Sequence, residues 1–165
     1  KALGEVVDYM IVMTYDEHWA SSPVAGSVSS LPWVERSLRR ILEEDGVPPS
    51  KLVMGIPLYT RVWTETKRDD GSVGVRSRAL GMEAVEKLIR ERNLQPAYDE
   101  KTGQHYVEYV TEEGRHRIWI EDETSIKARA ELARRLGLAG VATWQRGFAK
   151  PEIWRVLHDA LEARP

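Results

Sequence analysis

Residue types that can bind a sugar stand at the ends of three apolar stretches of this sequence. Tyr15 and Asp16 follow a long run that holds a single charge, Tyr59 and Arg61 end a second run, and Trp144 ends a third. Aromatic faces cover the apolar C–H side of a pyranose ring, whereas Asp, Arg and Tyr form hydrogen bonds with its hydroxyl groups. These residues therefore predict carbohydrate binding, provided that the fold brings them together.

A parallel sheet would bring them to one edge. The continuous apolar runs Asp8–Tyr15, Lys51–Trp63 and 139–144 are typical of strands that are buried on both faces. Helices with one apolar stripe are predicted near Pro32, over Ser125–Leu138 and from Pro151 onward. Repeated β/α units predict an α/β fold, in which the carboxyl ends of the strands meet at the ligand-binding face.

The middle of the chain is predicted to be a small α+β insertion. We expect β/α units over residues 1–63, the insertion over 64–123, and the last helix, strand and helix over 124–165. Inside the insertion the pattern predicts a helix at Met82–Arg92 and strands at Gln104–Val110 and His116–Ile120. The segment 71–81 lacks the spacing of a phosphate-binding loop and is predicted to be a turn.

Composition excludes several classes of function. The chain has no cysteine, so disulfides, cysteine-ligated zinc and thiol catalysis are excluded. A net charge of −2 gives no attraction to nucleic acid or to an anionic membrane, and no apolar run approaches the ~20 residues of a membrane helix. The four histidines lack ligand spacing, so neither a metal nor another cofactor is expected.

Several short motifs resemble a known family. "MTYD" at Met13–Asp16, "GIPLYTRVW" at Gly55–Trp63 and "GVATW" at Gly140–Trp144 resemble the sixth, seventh and eighth strands of glycoside hydrolase family 18. The loop and helix "EHWASSPVAGSVSSLPWVERSL" is similar to the bacterial branch that acts on spore cortex and cell-wall glycans. The resemblance implies the C-terminal portion, about strands six to eight, of a (β/α)8 TIM barrel with an inserted α+β subdomain.

The resemblance also implies roles for individual residues. Tyr15 would form a hydrogen bond with the substrate N-acetyl group as its carbonyl oxygen attacks the anomeric carbon, and Asp16 would contact the same sugar. This mechanism retains the anomeric configuration, and the substrate's own amide replaces a protein nucleophile. The residues implied to bind substrate are Met13, Tyr59, Arg61 and Trp144.

One catalytic element of the family is missing from the sequence. The general acid ends a D-x-x-D-x-D-x-E motif on the fourth strand, and no such spacing occurs in the 165 residues. We expect strands one to five to lie upstream of Lys1, and the chain alone to be inactive and to self-associate through its open half-barrel. The implied partner is an N-acetylglucosamine-containing polysaccharide, either chitin or peptidoglycan. The implied protein is a bacterial one that is exported and associated with the cell wall or the spore.

Alternatives remain open at this point. The protein could be a catalytically inactive sugar-binding member of the family, or an independent α/β domain. Arg61 could form a structural ion pair with Glu17 or Asp16 instead of binding sugar. Glu121 and Asp122 are expected to mark an element boundary, with Asp122 starting a helix. The tryptophans expected in the core are Trp33, Trp119 and Trp154.

Overall fold

Two sheets, five α-helices and two short 3₁₀ helices are found in the residues that the structure, a computed structural model, describes (2–163). The helices are α1 Ala2–Val6, α2 Leu31–Glu43, α3 Met82–Glu91, α4 Glu123–Arg135 and α5 Glu152–Glu162. The strands are β1 Met10–Val12, β2 Leu52–Pro57, β3 Tyr59–Lys67, β4 Val73–Gly81, β5 Ala97–Asp99, β6 Gln104–Thr111, β7 Gly114–Ile120 and β8 Gly140–Trp144.

The first sheet is parallel, with strand order β1-β2-β8. Val12 pairs with Met54 on one side of β2, and Pro57 pairs with Trp144 on the other. The sheet and helices α2, α4 and α5 bury a common apolar core that contains Leu38, Ile126 and Ile153. The α/β architecture is therefore the one that the sequence predicts.

The first strand is shorter and more exposed than the pattern predicts. Its ladder covers only Met10–Val12, and Ile11 and Met13 are 61% and 69% exposed. The apolar run predicts a strand covered on both faces, but among residues 2–163 β1 pairs with β2 alone. The prediction that this strand is buried on both faces is therefore wrong. Trp154 is likewise 41% exposed rather than in the core, whereas Trp119 is buried.

The second sheet is antiparallel, with strand order β4-β3-β7-β6-β5. It begins at Tyr59, so the expected boundary at residue 64 is too late, and the single strand predicted over Lys51–Trp63 is two strands. The first of them ends at Pro57, which still pairs with Trp144 of β8. The amide of Leu58 then donates to the carbonyl of Trp144 at 2.7 Å, and the chain enters the other sheet.

The segment predicted to be a turn is strand β4. It pairs with β3 along its whole length, from Lys67 and Val73 to Tyr59 and Gly81. The turn prediction is wrong because this edge strand carries arginine, serine and glycine in place of a long apolar run. The helix and the two strands predicted elsewhere in the insertion are confirmed, as α3, β6 and β7.

Candidate functional site

A tyrosine, an aspartate and an arginine from two strand ends meet at one edge of the parallel sheet. The Tyr59 hydroxyl donates to Asp16 Oδ1 at 2.6 Å. Nη2 of Arg61 lies 3.7 Å from the same oxygen. The ion-pair alternative for Arg61 is therefore present in the structure, with Asp16 as partner. Because Nη1 of Arg61 also lies 3.4 Å from the Ser77 hydroxyl, its guanidinium is held between the two sheets.

The backbone after β1 turns sharply to present this cluster. Asp16 has a φ of 60°, in the left-handed region that aspartate adopts more readily than most residues. Two residues before Asp16, the Thr14 hydroxyl donates to the carbonyl of Gly55 at 2.6 Å and ties the chain to β2. A Cβ atom at Gly55 would lie 2.6 Å from the carbonyl oxygen of Val12 and 3.1 Å from the Tyr15 ring. Glycine therefore lets Tyr15 lie against the strand.

Aromatic rings enclose one side of the cluster. The rings of Tyr15 and Tyr59 meet edge to face with centroids 6.4 Å apart, and Phe148 lies 6.0 Å beyond Tyr59. Burial raises the pKa of both phenols, and the Asp16 carboxylate raises each pKa further. Both hydroxyls thus stay protonated and can donate hydrogen bonds at neutral pH. Phe148 was missed by sequence reasoning, although the only phenylalanine of the chain follows the third predicted strand closely.

Met13 and Trp144 stand apart from this cluster. Trp144 is the last residue of β8, is 56% exposed, and is joined to Gln145 by a cis peptide bond. Within the described range, neither side chain has a hydrogen bond or aromatic contact to Tyr15, Asp16 or Tyr59. The structure therefore brings four of the six predicted residues together and leaves two exposed at neighbouring strand ends.

The loop after Asp16 is fastened by its own polar groups. Glu17 accepts hydrogen bonds from the amide and the hydroxyl of Ser30, at 2.7 and 3.0 Å. The Ser29 hydroxyl donates to the carbonyl of Thr14 at 2.6 Å. The His18 ring donates from Nδ1 to the carbonyl of Ser27 at 2.8 Å. Glu17 and His18 are thus occupied in closing the loop.

A buried ion pair packs against this loop and is hydrogen-bonded to it. Arg129 and Glu121, whose side chains are each 1% exposed, lie 2.5 Å apart, and Arg129 also donates to the carbonyl of Ser29 at 2.5 Å. Glu121 accepts further hydrogen bonds from Ser125 and Gln104, at 2.8 and 2.7 Å. Burial raises the pKa of Glu121, and the Arg129 guanidinium opposes this effect. The network was missed by sequence reasoning.

The residue after Glu121 has the role that the sequence predicts. Asp122 caps α4 through hydrogen bonds from the amides of Thr124 and Ser125, at 2.9 and 3.1 Å. The Ser125 hydroxyl reciprocates by accepting from the Asp122 amide at 3.0 Å, which completes a capping box. The helix-start role of Asp122 is confirmed.

Neither a metal-binding cluster nor a membrane-spanning helix is found in the part of the chain that the structure describes. No group of three or more metal-ligating side chains occurs between residues 2 and 163. Over the same residues, no helix combines the length and the apolar character that crossing a membrane requires.

Comparison with known proteins identifies the family. The family model described as glycosyl hydrolases family 18 matches residues 1–149. The chain belongs to glycoside hydrolase family 18. The Asp16 cluster and the strand that ends at Trp144 both lie within the matched residues.

Relatives of known sequence include proteins named for spore cortex. The chain is 31% identical over 160 residues to the cortical fragment-lytic enzyme of Bacillus subtilis, covering 96% of this chain and 36% of that protein. It is 29% identical to the uncharacterized glycosylase YvbX of the same organism, covering 94% of this chain and 43% of that protein. The chain thus spans less than half the length of these curated relatives.

Solved structures of the family share the fold. The C-terminal domain of a putative chitinase from Desulfitobacterium hafniense superposes with a TM-score of 0.87 at 31% identity, over 98% of this chain and 49% of that one. The Bacillus cereus spore cortex-lytic enzyme SleL gives a TM-score of 0.83 at 30% identity, over 97% and 36%. This family 18 chain therefore has the α/β fold of chitinase and cortex-lytic structures.

Proposed function

We propose that this chain supplies the acetamido-binding part of a glycosidase that cleaves β-linked N-acetylglucosamine polymers. The observation that carries the proposal is the Tyr59–Asp16–Arg61 cluster, which holds a carboxylate beside the protonated phenol of Tyr15. A carboxylate acceptor and a phenol donor match the N–H and C=O of an acetamido group. The exposed indole of Trp144 can lie beneath the apolar face of the same sugar.

The proposed mechanism is retaining and substrate-assisted. The acetamido carbonyl oxygen bonds to the anomeric carbon as the glycosidic oxygen leaves with a proton from a general acid, and water then opens the cyclic intermediate. Tyr15 donates to the attacking carbonyl group and keeps it oriented. Asp16 accepts from the amide N–H and stabilises the positive charge that develops there, while Tyr59 and Arg61 fix its position.

We propose that the general acid comes from outside these residues and that the chain alone is inactive. Asp16 is engaged by Tyr59, Glu17 accepts two hydrogen bonds from Ser30, and Glu121 is buried against Arg129. None of these three carboxyl groups is available to protonate a leaving group. The three parallel strands would then be about the sixth to eighth of a (β/α)8 barrel.

The names of the relatives support a substrate class. The relatives that are named cortical fragment-lytic enzymes support peptidoglycan of the spore cortex as the substrate of this protein, and chitin is the second candidate. We accordingly propose an exported bacterial protein that is associated with the cell wall or the spore. A sugar-binding protein without hydrolytic activity is the alternative, because the Asp16 cluster can bind an acetamido group without cleaving the polymer.

Replacement of Asp16 tests the proposal in the full protein that contains this chain. With a fluorogenic β-linked N-acetylglucosamine disaccharide, we expect Asp16→Asn to lower kcat by about two orders of magnitude, because removing one preorganised polar group typically costs that much. Asp159→Asn, on the exposed surface of α5, is the matched control and should leave kcat unchanged. An Asp16→Asn protein with wild-type kcat would contradict the assignment. A wild-type protein that binds but never cleaves the substrate would favour the sugar-binding alternative.

A further inference from the structure

A cavity of about 560 Å³ lies over one face of the antiparallel sheet, away from the Asp16 cluster. Val62 and Thr64 of β3 and His116 of β7 form its floor. Because successive side chains of a strand point to opposite faces, Arg61 lies on the other side of the sheet. Helix α3 packs on the cavity's face of the sheet through Val85. Ser77, whose hydroxyl contacts Arg61, also lines the cavity, so the cavity lies across the sheet from the proposed acetamido site and adjoins it at this residue.

Three arginines and two glutamates, Glu112 and Glu113, line this cavity, so its lining is positive by one charge. Arg76 and Arg78 project from β4, and Arg92 follows the last residue of α3. Arg76 is paired with Glu113 at 2.6 Å. By contrast, the guanidinium groups of Arg78 and Arg92 have no hydrogen bond or ion pair with any other residue between 2 and 163, and Arg92 lies 4.5 Å over the Tyr109 ring. Two guanidinium groups are therefore free to bind an anion.

The floor beneath them is polar but uncharged. His116 stacks on Tyr109 with centroids 4.5 Å apart, and its two ring nitrogens lie 3.1 and 2.8 Å from the hydroxyls of Thr64 and Thr111. Burial lowers the pKa of His116, the three arginines lower it further, and Glu113 opposes them. The imidazole is thus neutral at pH 7, and the positive charge of the cavity is that of the three arginines less that of Glu112 and Glu113.

We propose that Arg78 and Arg92 bind the carboxylate of an acidic amino sugar in this cavity. The planar guanidinium group matches a carboxylate with two parallel hydrogen bonds, and the cavity lies within the size range of small-ligand sites. The inference rests on the proposed function and narrows its substrate class, because a muramic acid residue of peptidoglycan without a stem peptide carries a free lactyl carboxylate, whereas the sugars of chitin carry none. The site would hold a saccharide of the same polymer at a distance from the cleaved bond.

Direct titration tests this site without any measurement of hydrolysis. The protein is titrated by calorimetry with N-acetylmuramic acid, N-acetylglucosamine and inorganic phosphate, while the imidazole C–H signals are followed by NMR. We expect N-acetylmuramic acid to bind and to raise the pKa of His116, because an anion offsets the field of the arginines. Arg78→Gln and Arg92→Gln should each weaken this binding about tenfold. Arg36→Gln, on the exposed face of α2, is the matched control.

The proposal would be overturned by no binding of N-acetylmuramic acid, by an affinity for N-acetylglucosamine equal to that for the acidic sugar, or by an equal effect of Arg36→Gln. Phosphate binding as tight as that of the acidic sugar would reduce the site to a general oxyanion site and would also overturn the sugar assignment. Failure of the proposed function is seen separately, as absence of hydrolysis with Asp16 intact.

Discussion

Gly55 controls how closely Tyr15 and the end of β1 approach β2. A Cβ atom at this position would lie 2.6 Å from a backbone oxygen, a distance at which the two strands must separate. We predict that Gly55→Ala destabilises the protein by about 1–3 kcal/mol, since overpacking a tight contact forces the backbone to shift. Urea unfolding at neutral pH measures the loss.

Gly140 provides the matched control for this substitution. It lies on β8, the other neighbour of β2, and a Cβ atom there would meet nothing within 4 Å. Gly140→Ala should therefore change the free energy of unfolding by less than about 1 kcal/mol. Equal losses in the two variants would show that the close approach at Gly55 is not the cause.

At the scale of elements, the Glu121–Arg129 pair joins β7 and α4 to the loop that follows Asp16. Replacing Arg129 by Gln leaves the Glu121 carboxylate buried without its charge partner. We predict a loss of about 3–5 kcal/mol, the usual cost of breaking a buried pair on one side. The double variant Glu121→Gln/Arg129→Gln should be more stable than Arg129→Gln alone. Chemical denaturation of both variants checks the order, and a double variant that is less stable would contradict it.

The antiparallel sheet contains a histidine whose protonation opposes folding. The pKa of His116 is lowered in the folded protein, mainly by burial and then by the arginines around the cavity. The unfolded chain therefore binds the proton more tightly, so stability is fully present above pH ~6.5 and falls as pH drops through that value. We predict that His116→Gln removes this part of the pH dependence between pH 7 and 5. The free energy of unfolding, measured at each pH, tests it, and an unchanged slope in the variant would contradict it.

The sequence predicts elements best where a pattern is long and local. The helices near Met82 and Ser125 and the strands β6 and β7 follow from periodicity, and strand ends predict that Tyr15, Asp16, Tyr59 and Arg61 lie near one another. Strand β4 could not be predicted in this way because it is a polar edge strand. Arg129 could not be assigned either, since an arginine on a helix with exposed charges looks solvated. The arginine cavity draws its residues from distant elements, so no local pattern marks it.

At the scale of the whole molecule, the open edge of the parallel sheet is the feature most exposed to other chains. Ile11 of β1 and its flanking residues Tyr9 and Met13 expose 61%, 66% and 69% of their surface. An exposed apolar edge strand pairs readily with another copy. We predict that the 165-residue chain self-associates in solution and that Ile11→Lys reduces this association. Analytical ultracentrifugation across a range of concentrations tests it, and a monodisperse monomer would contradict it.

The central claim is that the Asp16 cluster recognises an acetamido group that takes part in the reaction. The most direct test compares two fluorogenic disaccharides in the full protein, identical except that the reacting sugar carries either an acetamido or a hydroxyl group at C2. We predict that only the acetamido substrate is hydrolysed, because its carbonyl oxygen is the nucleophile. Hydrolysis of both at similar rates would contradict the mechanism and would require a nucleophile from the protein.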